Sequence, residues 1–180
     1  TTLGATFFRE GTIPDLMRIT VQGGGFSDEA VLRKRIGATA EFDGQYDAFK
    51  FPFDSTAAHV KIYTLAGTSR MAINSFGSFS CETKVPVVLD NTTTGTSYTI
   101  GFSGLETFNE DPNLYFFDAE LGKSVKIEGS PSYTFTITGS ESLDPEQRFF
   151  ITVGLPAVAI DNFVKGADIC ESGTEAVIQI

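Results

Sequence analysis

Short stretches in which apolar and polar residues alternate dominate this sequence. The clearest are residues 17–22, 97–102 and 132–138, in which every second residue is apolar or aromatic and the others are mostly polar. Because successive side chains of a β-strand point to opposite faces, this pattern predicts strands with one face buried and the other in water. Strands of this kind are typical of antiparallel sheets.

Turn-forming residues separate these stretches. Gly, Asn, Asp and Pro cluster at residues 23–25, 43–44, 90–91, 109–112 and 144–145. Further candidate strands are residues 30–36, 59–64, 70–74, 85–89, 113–117, 124–127 and 148–153. Many short strands between regular turn signals predict an all-β fold, and no segment has a convincing helical stripe.

This spacing of strands and turns is typical of a β-sandwich or a β-barrel. Of the two we expect an antiparallel β-sandwich of jelly-roll type over residues 1–154. The composition shifts near Gly154, so residues 155–180 are expected to be a linker with the first strand of a following β-domain, or a tail that completes the first domain. A chain of 180 residues is long enough to bury a core without covalent cross-links. The 17 Phe residues are expected to fill that core, whereas the absence of Trp is atypical of an aromatic sugar-binding platform.

The net charge of −10 limits the classes of partner. A chain this acidic is repelled by phosphate backbones and by anionic lipid surfaces, so we expect neither nucleic-acid binding nor membrane association. No apolar run reaches the roughly 18 residues that span a bilayer, which argues against direct membrane insertion.

The two cysteines, Cys81 and Cys170, lie far apart and show no CxxC spacing. A zinc site is therefore not expected. The pair is a disulfide candidate, but the sequence does not supply the Cα separation that a disulfide needs. Cys170 could instead pair with a cysteine outside this chain.

Catalytic motifs are not evident. His59 is the only histidine, and no Gly-x-Ser-x-Gly motif accompanies it, although a Cys-His pair with Cys81 remains conceivable. Nothing among the 23 acidic residues selects a carboxylate pair for glycosidase chemistry. The glycines at residues 23–25 are not followed by a phosphate-binding pattern and are expected to form a turn. The sequence thus predicts a non-enzymatic protein without a resident cofactor.

Calcium is the one metal for which the sequence offers ligands. Residues 42–47 place the carboxylates of Asp43 and Asp47 in one loop, and residues 109–111 form a similar acidic loop. Calcium takes six to eight oxygen ligands, and neither loop follows the EF-hand pattern. Asp43 and Asp47 are therefore candidate calcium ligands, and the alternative is that their side chains cap nearby backbone amides.

Several segments together resemble a β-sandwich module of large secreted and cell-surface proteins of Bacteroidetes. They are residues 26–31 (FSDEAV), 38–50 (ATAEFDGQYDAFK), 70–75 (RMAINS), 98–100 (YTI), 114–118 (LYFFD), 132–136 (SYTFT) and 147–151 (QRFFI). Their order and spacing, rather than any one of them, carry the resemblance. Residues 168–174 (DICESGT) resemble the first strand of the immunoglobulin-like domains that often follow such a module.

The resemblance implies export by the type IX secretion system and a role in adhesion or gliding. The expected location is the cell surface or the extracellular medium, and the expected partners are secretion-system or surface proteins and glycans. Two alternatives stay open. A carbohydrate-binding module would need an exposed aromatic strip on one sheet face, and a small secreted hydrolase would need a cleft around His59 or a close carboxylate pair.

Overall fold

The computed structural model describes residues 13–51, 59–80 and 83–154, and strands account for most of its regular structure. The strands are β1 (Leu16–Gly23), β2 (Phe26–Lys34), β3 (Ala48–Phe49), β4 (Lys61–Ala66), β5 (Ser69–Phe76), β6 (Lys84–Asp90), β7 (Ser97–Ser103), β8 (Leu114–Asp118), β9 (Lys123–Lys126), β10 (Ser132–Thr136) and β11 (Phe149–Val153). The helical elements are a 3₁₀ turn at Leu105–Thr107 and one α-helical turn, α1, at Pro145–Arg148. The all-β prediction is confirmed.

The alternating segments form strands as predicted. In β1, Met17, Ile19 and Val21 are completely buried, while the residues between them face outward. The same alternation buries Tyr98, Ile100 and Phe102 in β7 and two aromatic rings in β10. Period-two patterning is therefore sufficient to place these three strands and their buried faces.

One continuous sheet contains all the strands. Its order is β10-β7-β1-β2-β5-β4-β6-β11-β8-β9, with β3 paired to β5 outside this path. Neighbouring strands are antiparallel except that β2 and β5 run parallel, with Val31 opposite Ile73. The expectation of a purely antiparallel arrangement is wrong at this pair, because the chain crosses over through residues 35–68 before it returns beside β2.

The two ends of the sheet face each other across a shared aromatic core. The ring of Phe116 in β8 lies 5.3 Å from Phe102 in β7 and 5.5 Å from Tyr133 in β10, measured between centroids. Phe135 in β10 lies 4.8 Å from Phe149 in β11. Such tilted ring pairs add about 0.5–1.5 kcal/mol each beyond the burial of their area. The expectation that Phe fills the core is met here, because these rings join strands from opposite ends of the sheet.

The β1–β2 hairpin explains the run of three glycines. Gly24 and Gly25 occupy the two turn positions, and both have positive φ angles, of 60° and 83°. A two-residue hairpin with positive φ at both positions has the twist that suits the flanking strands, and glycine adopts it without steric cost. The prediction of a turn at residues 23–25 is confirmed.

A buried ion pair crosses the core beside these rings. The Asp118 carboxylate is completely buried, and the Arg148 guanidinium donates to both of its oxygens, from Nε and Nη2, at 3.3 Å each. The hydroxyl of Tyr133 donates to Oδ2 at 2.8 Å. Burial, and then the hydrogen bond to Asp118, raise the pKa of the Tyr133 phenol, so this group stays protonated and acts as a donor. The pair links α1 to β8 and β10.

Two expectations about Arg148 are corrected. The residue ends α1 instead of opening a strand, because α1 begins with Pro145, a residue favoured in the first turn of a helix. Its acidic partners are Asp118 and Glu141, the latter 3.5 Å from Nη1. The spacing of charges in the sequence would instead favour Asp144, four residues before Arg148. Asp144 does not pair with Arg148 because it occupies the N-cap position of α1, at the opposite end of the turn.

Removal of one member of the buried pair should be costly. We expect Asp118→Ala to lower the free energy of unfolding by about 3–5 kcal/mol, because it leaves the Arg148 charge buried without its main partner. Urea titration followed by circular dichroism measures this change. Glu29→Ala is the matched control, since it breaks the exposed Arg18–Glu29 pair, which should contribute about 0–1 kcal/mol. Equal losses in the two variants would contradict the assigned role of Asp118.

Glu141 should make stability depend on acidic pH. Backbone hydrogen bonds, first from Thr138, lower the pKa of its carboxyl from 4.5 to about 2. A carboxyl with a lowered pKa in the folded state stabilises the fold above its unfolded pKa, and this contribution is lost as the pH falls from about 4.5 to about 2. We expect the difference in Tm between the native protein and Glu141→Gln to shrink over that interval. A difference that stays constant from pH 7 to pH 2 would show that the carboxylate makes no such contribution.

Candidate functional site

An apolar row runs across the outward face of β6, β11 and β8. In the strand register Phe150 lies between Pro86 on one side and Phe117 on the other. Their neighbours along each strand, such as Val85, Ile151 and Phe116, are buried in the core. Since side chains alternate between the two faces of a strand, the row lies on the outer face of the sheet. Pro86 and Phe117 are partly exposed there, whereas Phe150 is only 7% exposed.

The α1 turn converts this row into a groove. It packs against β6, so that Glu146 and Gln147 stand beside the row together with Leu143. Lys84 lies at another edge, and the groove encloses about 630 Å³. This volume falls in the range of about 300–1,000 Å³ that is typical of ligand sites.

The groove has an apolar floor and a polar rim. The rings of Phe117 and Phe150 are 4.8 Å apart, and the Lys84 ammonium lies 4.2 Å from the Phe150 ring centre. The Lys84 side chain is exposed, and it forms no ion pair within the described part of the chain. A largely apolar concavity with a few polar groups at its edge is the usual composition of a binding site.

Two further depressions adjoin this groove. One, of about 620 Å³, shares Lys84 and Pro86 with it and extends toward residues 38–40. The other, of about 370 Å³, lies across α1 and shares Glu146 and Gln147 with the groove. A ligand longer than the groove could therefore continue along this face of the sheet.

Of the three concavities, the depression across α1 has the most acidic residues, namely Asp90, Asp144 and Glu146. It contains Tyr63, Arg70 and Asp90, and the Arg70 guanidinium donates to Asp90 at 2.9 Å. Burial, and then the Asp90 charge, raise the pKa of Tyr63 to about 12. The phenol is therefore neutral at physiological pH and can donate a hydrogen bond, but it cannot act as a base.

His59 lies away from the groove. Its ring is tilted against Phe26, with 4.1 Å between the centroids, and its backbone carbonyl accepts a hydrogen bond from Asn91. Cys81, the conceivable partner of His59, lies outside the described residues. So does Cys170, and the disulfide between the two cysteines therefore stays a prediction.

Asp43 and Asp47 lie together in the loop that precedes β3, where their carboxylates accept backbone hydrogen bonds. Asp47 Oδ1 accepts from the amide of Ser75 at 2.7 Å, and Oδ2 accepts from the amide of Asp43 at 2.8 Å. Asp43 Oδ1 accepts from the amide of Gln45 at 3.0 Å. Across residues 13–51, 59–80 and 83–154, no group of three or more His, Cys, Asp or Glu side chains could hold a metal ion. Calcium at Asp43 and Asp47 stays a prediction, alongside the capping role that these contacts provide.

The same loop is fastened at a second point. The Lys50 ammonium forms an ion pair with Asp28 and also donates to the carbonyl of Glu29. The spacing of charges in the sequence would favour Asp47 as the partner of Lys50, but the Asp47 carboxylate accepts hydrogen bonds from the amides of Asp43 and Ser75 instead. These contacts hold residues 43–50 against β2 and β5.

The sequence did not reveal the groove, although it carried one signal. The segment 114–118 is apolar at four successive positions, and 149–151 is apolar throughout. Runs without alternation indicate strands with both faces covered or an apolar outer face. The wall formed by α1 had no comparable signal, because a single helical turn is too short to show periodicity.

No family model, curated protein or solved structure matches this chain. The helical segments within the described residues are all too short and insufficiently apolar to cross a membrane.

Removal of the Asp47 carboxylate should destabilise the fold whether or not calcium is present. We expect Asp47→Ala to lower the free energy of unfolding by about 1–3 kcal/mol per backbone amide that is left buried without an acceptor. Since both Asp47 oxygens already have amide partners, replacing millimolar calcium with EDTA should leave the Tm of the native protein unchanged. A Tm that rises with calcium and loses this response in Asp47→Ala would instead establish the metal site.

Proposed function

We propose that this chain is a non-catalytic recognition or adhesion module of a large bacterial protein that is secreted or held at the cell surface. The groove over β6, β11 and β8 is its binding site. The observation that carries this proposal is the apolar surface that Pro86 and Phe117 leave partly exposed on the outer face of the sheet, on either side of the largely buried Phe150 and within a polar rim. Export by the type IX secretion system is part of the proposal and rests on the sequence resemblance.

We also propose that the sheet is a β-sandwich of jelly-roll type, and that residues 155–180 lead into an immunoglobulin-like domain. Support for the sandwich comes from rings that belong to opposite ends of the sheet, such as Phe135 and Phe149, and that pack in one core. In a sandwich the binding groove lies on a rigid outer face, which suits a module that presents a surface to a partner.

The chemistry of the groove favours binding over turnover. Glycosidases need two carboxyl groups across the scissile bond. Among the described residues that line the groove, Glu146 is the only acid and Lys84 the only base. His59 lies elsewhere, against Phe26. These groups can hold and orient a ligand, and they do not form an acid–base pair of the kind hydrolysis needs.

Adhesion through the groove can be measured directly. Beads coated with the full chain should be retained under flow on at least one of four immobilised surfaces: mucin, collagen, cellulose and dextran. Phe117→Arg should reduce retention at least about tenfold, because the anchor residue of an interface contributes about 2 kcal/mol or more and about 1.4 kcal/mol corresponds to tenfold. Thr134→Arg is the matched control, since it adds the same charge on the exposed face of β10, at the other end of the sheet.

Two results would contradict the recognition role. One is retention no greater than that of bare beads, and the other is an equal loss in Phe117→Arg and Thr134→Arg. The export proposal is tested separately, because the parent protein should stay within the cell envelope when the type IX secretion system is deleted.

A further inference from the structure

We infer that the ligand of the groove is a neutral glycan chain. This inference rests on the proposed function, in which the groove over β6, β11 and β8 is the binding site. Four features of that face select this ligand class: its floor, its rim, its charge and its backbone.

The floor suits the apolar face of a sugar ring. Phe117 is partly exposed and lies against Phe150, and Pro86 continues the apolar surface beside them. Sugars carry patches of C–H groups on their ring faces, and such patches gain from burial against aromatic side chains, as any apolar surface does. The absence of Trp does not remove this possibility, because the partly exposed Phe117 and Pro86 provide the apolar surface on either side of the largely buried Phe150 ring.

The rim suits the hydroxyl edge of a sugar. The Lys84 ammonium can only donate hydrogen bonds, the Glu146 carboxylate can only accept them, and the Gln147 amide can do both. Hydroxyl groups are both donors and acceptors, so one sugar can satisfy all three side chains. All three border the same groove.

The charge excludes a polyanionic glycan. Lys84 and Glu146 cancel each other within the groove, and the depression across α1 adds Asp144 together with Asp90, whose charge is paired with that of Arg70. The chain as a whole carries a net charge of −10. A polymer of uronic acids or sulfated sugars would be repelled by this surface, whereas a neutral chain is not.

The backbone excludes an extended peptide as the preferred ligand. Peptides that bind as strands pair with the exposed edge of a sheet. The floor belongs to β11 and β8, which both lie between two paired neighbours, and the ends of the path are β9 and β10. A peptide laid over the Phe rings would therefore leave its amide groups without backbone partners, at a cost in free energy.

The inference can be tested with defined polysaccharides. In native gels that contain hydroxyethylcellulose, xyloglucan, β-1,3-glucan or mannan, the full chain should be retarded by at least one polymer. Gels with alginate or polygalacturonate should cause no retardation. Isothermal titration with oligosaccharides of the retarding polymer then gives the Kd.

Two groove variants should weaken that binding, each by about tenfold or more. Phe117→Ala removes part of the floor, and Gln147→Ala removes a rim amide at an exposed position, where loss of folding is not expected. The matched controls are Phe26→Ala, at an exposed ring beside His59, and Lys123→Gln, at an exposed lysine that does not line the groove. Both controls should bind as tightly as the native chain.

The possible failures can be told apart. Retention of beads on mucin or collagen that depends on Phe117, without binding to any of the neutral polymers, would overturn the glycan inference and leave the recognition role standing. Binding to alginate or polygalacturonate alone would also overturn it. The recognition role itself fails if neither beads nor polymers give binding that depends on the groove.

Discussion

The buried carboxylate of Asp118 organises one side of this molecule. It accepts hydrogen bonds from the Tyr133 hydroxyl, from the Arg148 guanidinium, and from the amides of Glu120 and Leu121 in the turn after β8. A charge with no exposure to water is tolerated only when its oxygens are satisfied in this way. The guanidinium in turn lies against the rings of both Phe135 and Phe149, 4.8 and 4.7 Å from their centroids, so the ion pair is part of the aromatic core.

The same interaction determines where the groove can form. Arg148 is the last residue of α1, and a helix of one turn has too few internal hydrogen bonds to be stable alone. Its position over β6 therefore depends on the pairing of Arg148 with Asp118. Glu146 and Gln147 stand at the rim of the groove because the last residue of that turn, Arg148, is anchored in the core. The groove on the outside of the sheet, which we propose as a binding surface, is in this way coupled to an ion pair inside it.

Sequence patterns predicted the strands in which buried and exposed residues alternate. They did not predict contacts between residues that lie far apart along the chain. Strands β1, β7 and β10 could be predicted from the alternation of apolar and polar residues, such as the apolar Met17, Ile19 and Val21 of β1. This alternation is present because one face of each strand packs against the core. Strand β3 has only two residues, which is too short for any period to appear. The partners of Lys50 and Arg148 lie 22 and 30 residues away along the chain, in Asp28 and Asp118, so local charge spacing pointed to the wrong acids. The groove was missed for the same reason, since it combines β6, β8, β11 and α1.

Strands β1 and β11 each have a hydrogen-bonded neighbour on both sides, and this arrangement has a mechanical consequence. The first described strand pairs with β2 and β7, and the last pairs with β6 and β8. Tension that pulls either strand out of the sheet must rupture two hydrogen-bonded ladders at the same time, rather than peel one strand from an edge. Within the described residues, the strands at the two ends of the sheet path, β9 and β10, have one hydrogen-bonded ladder each, so force should detach them more easily than β1 or β11.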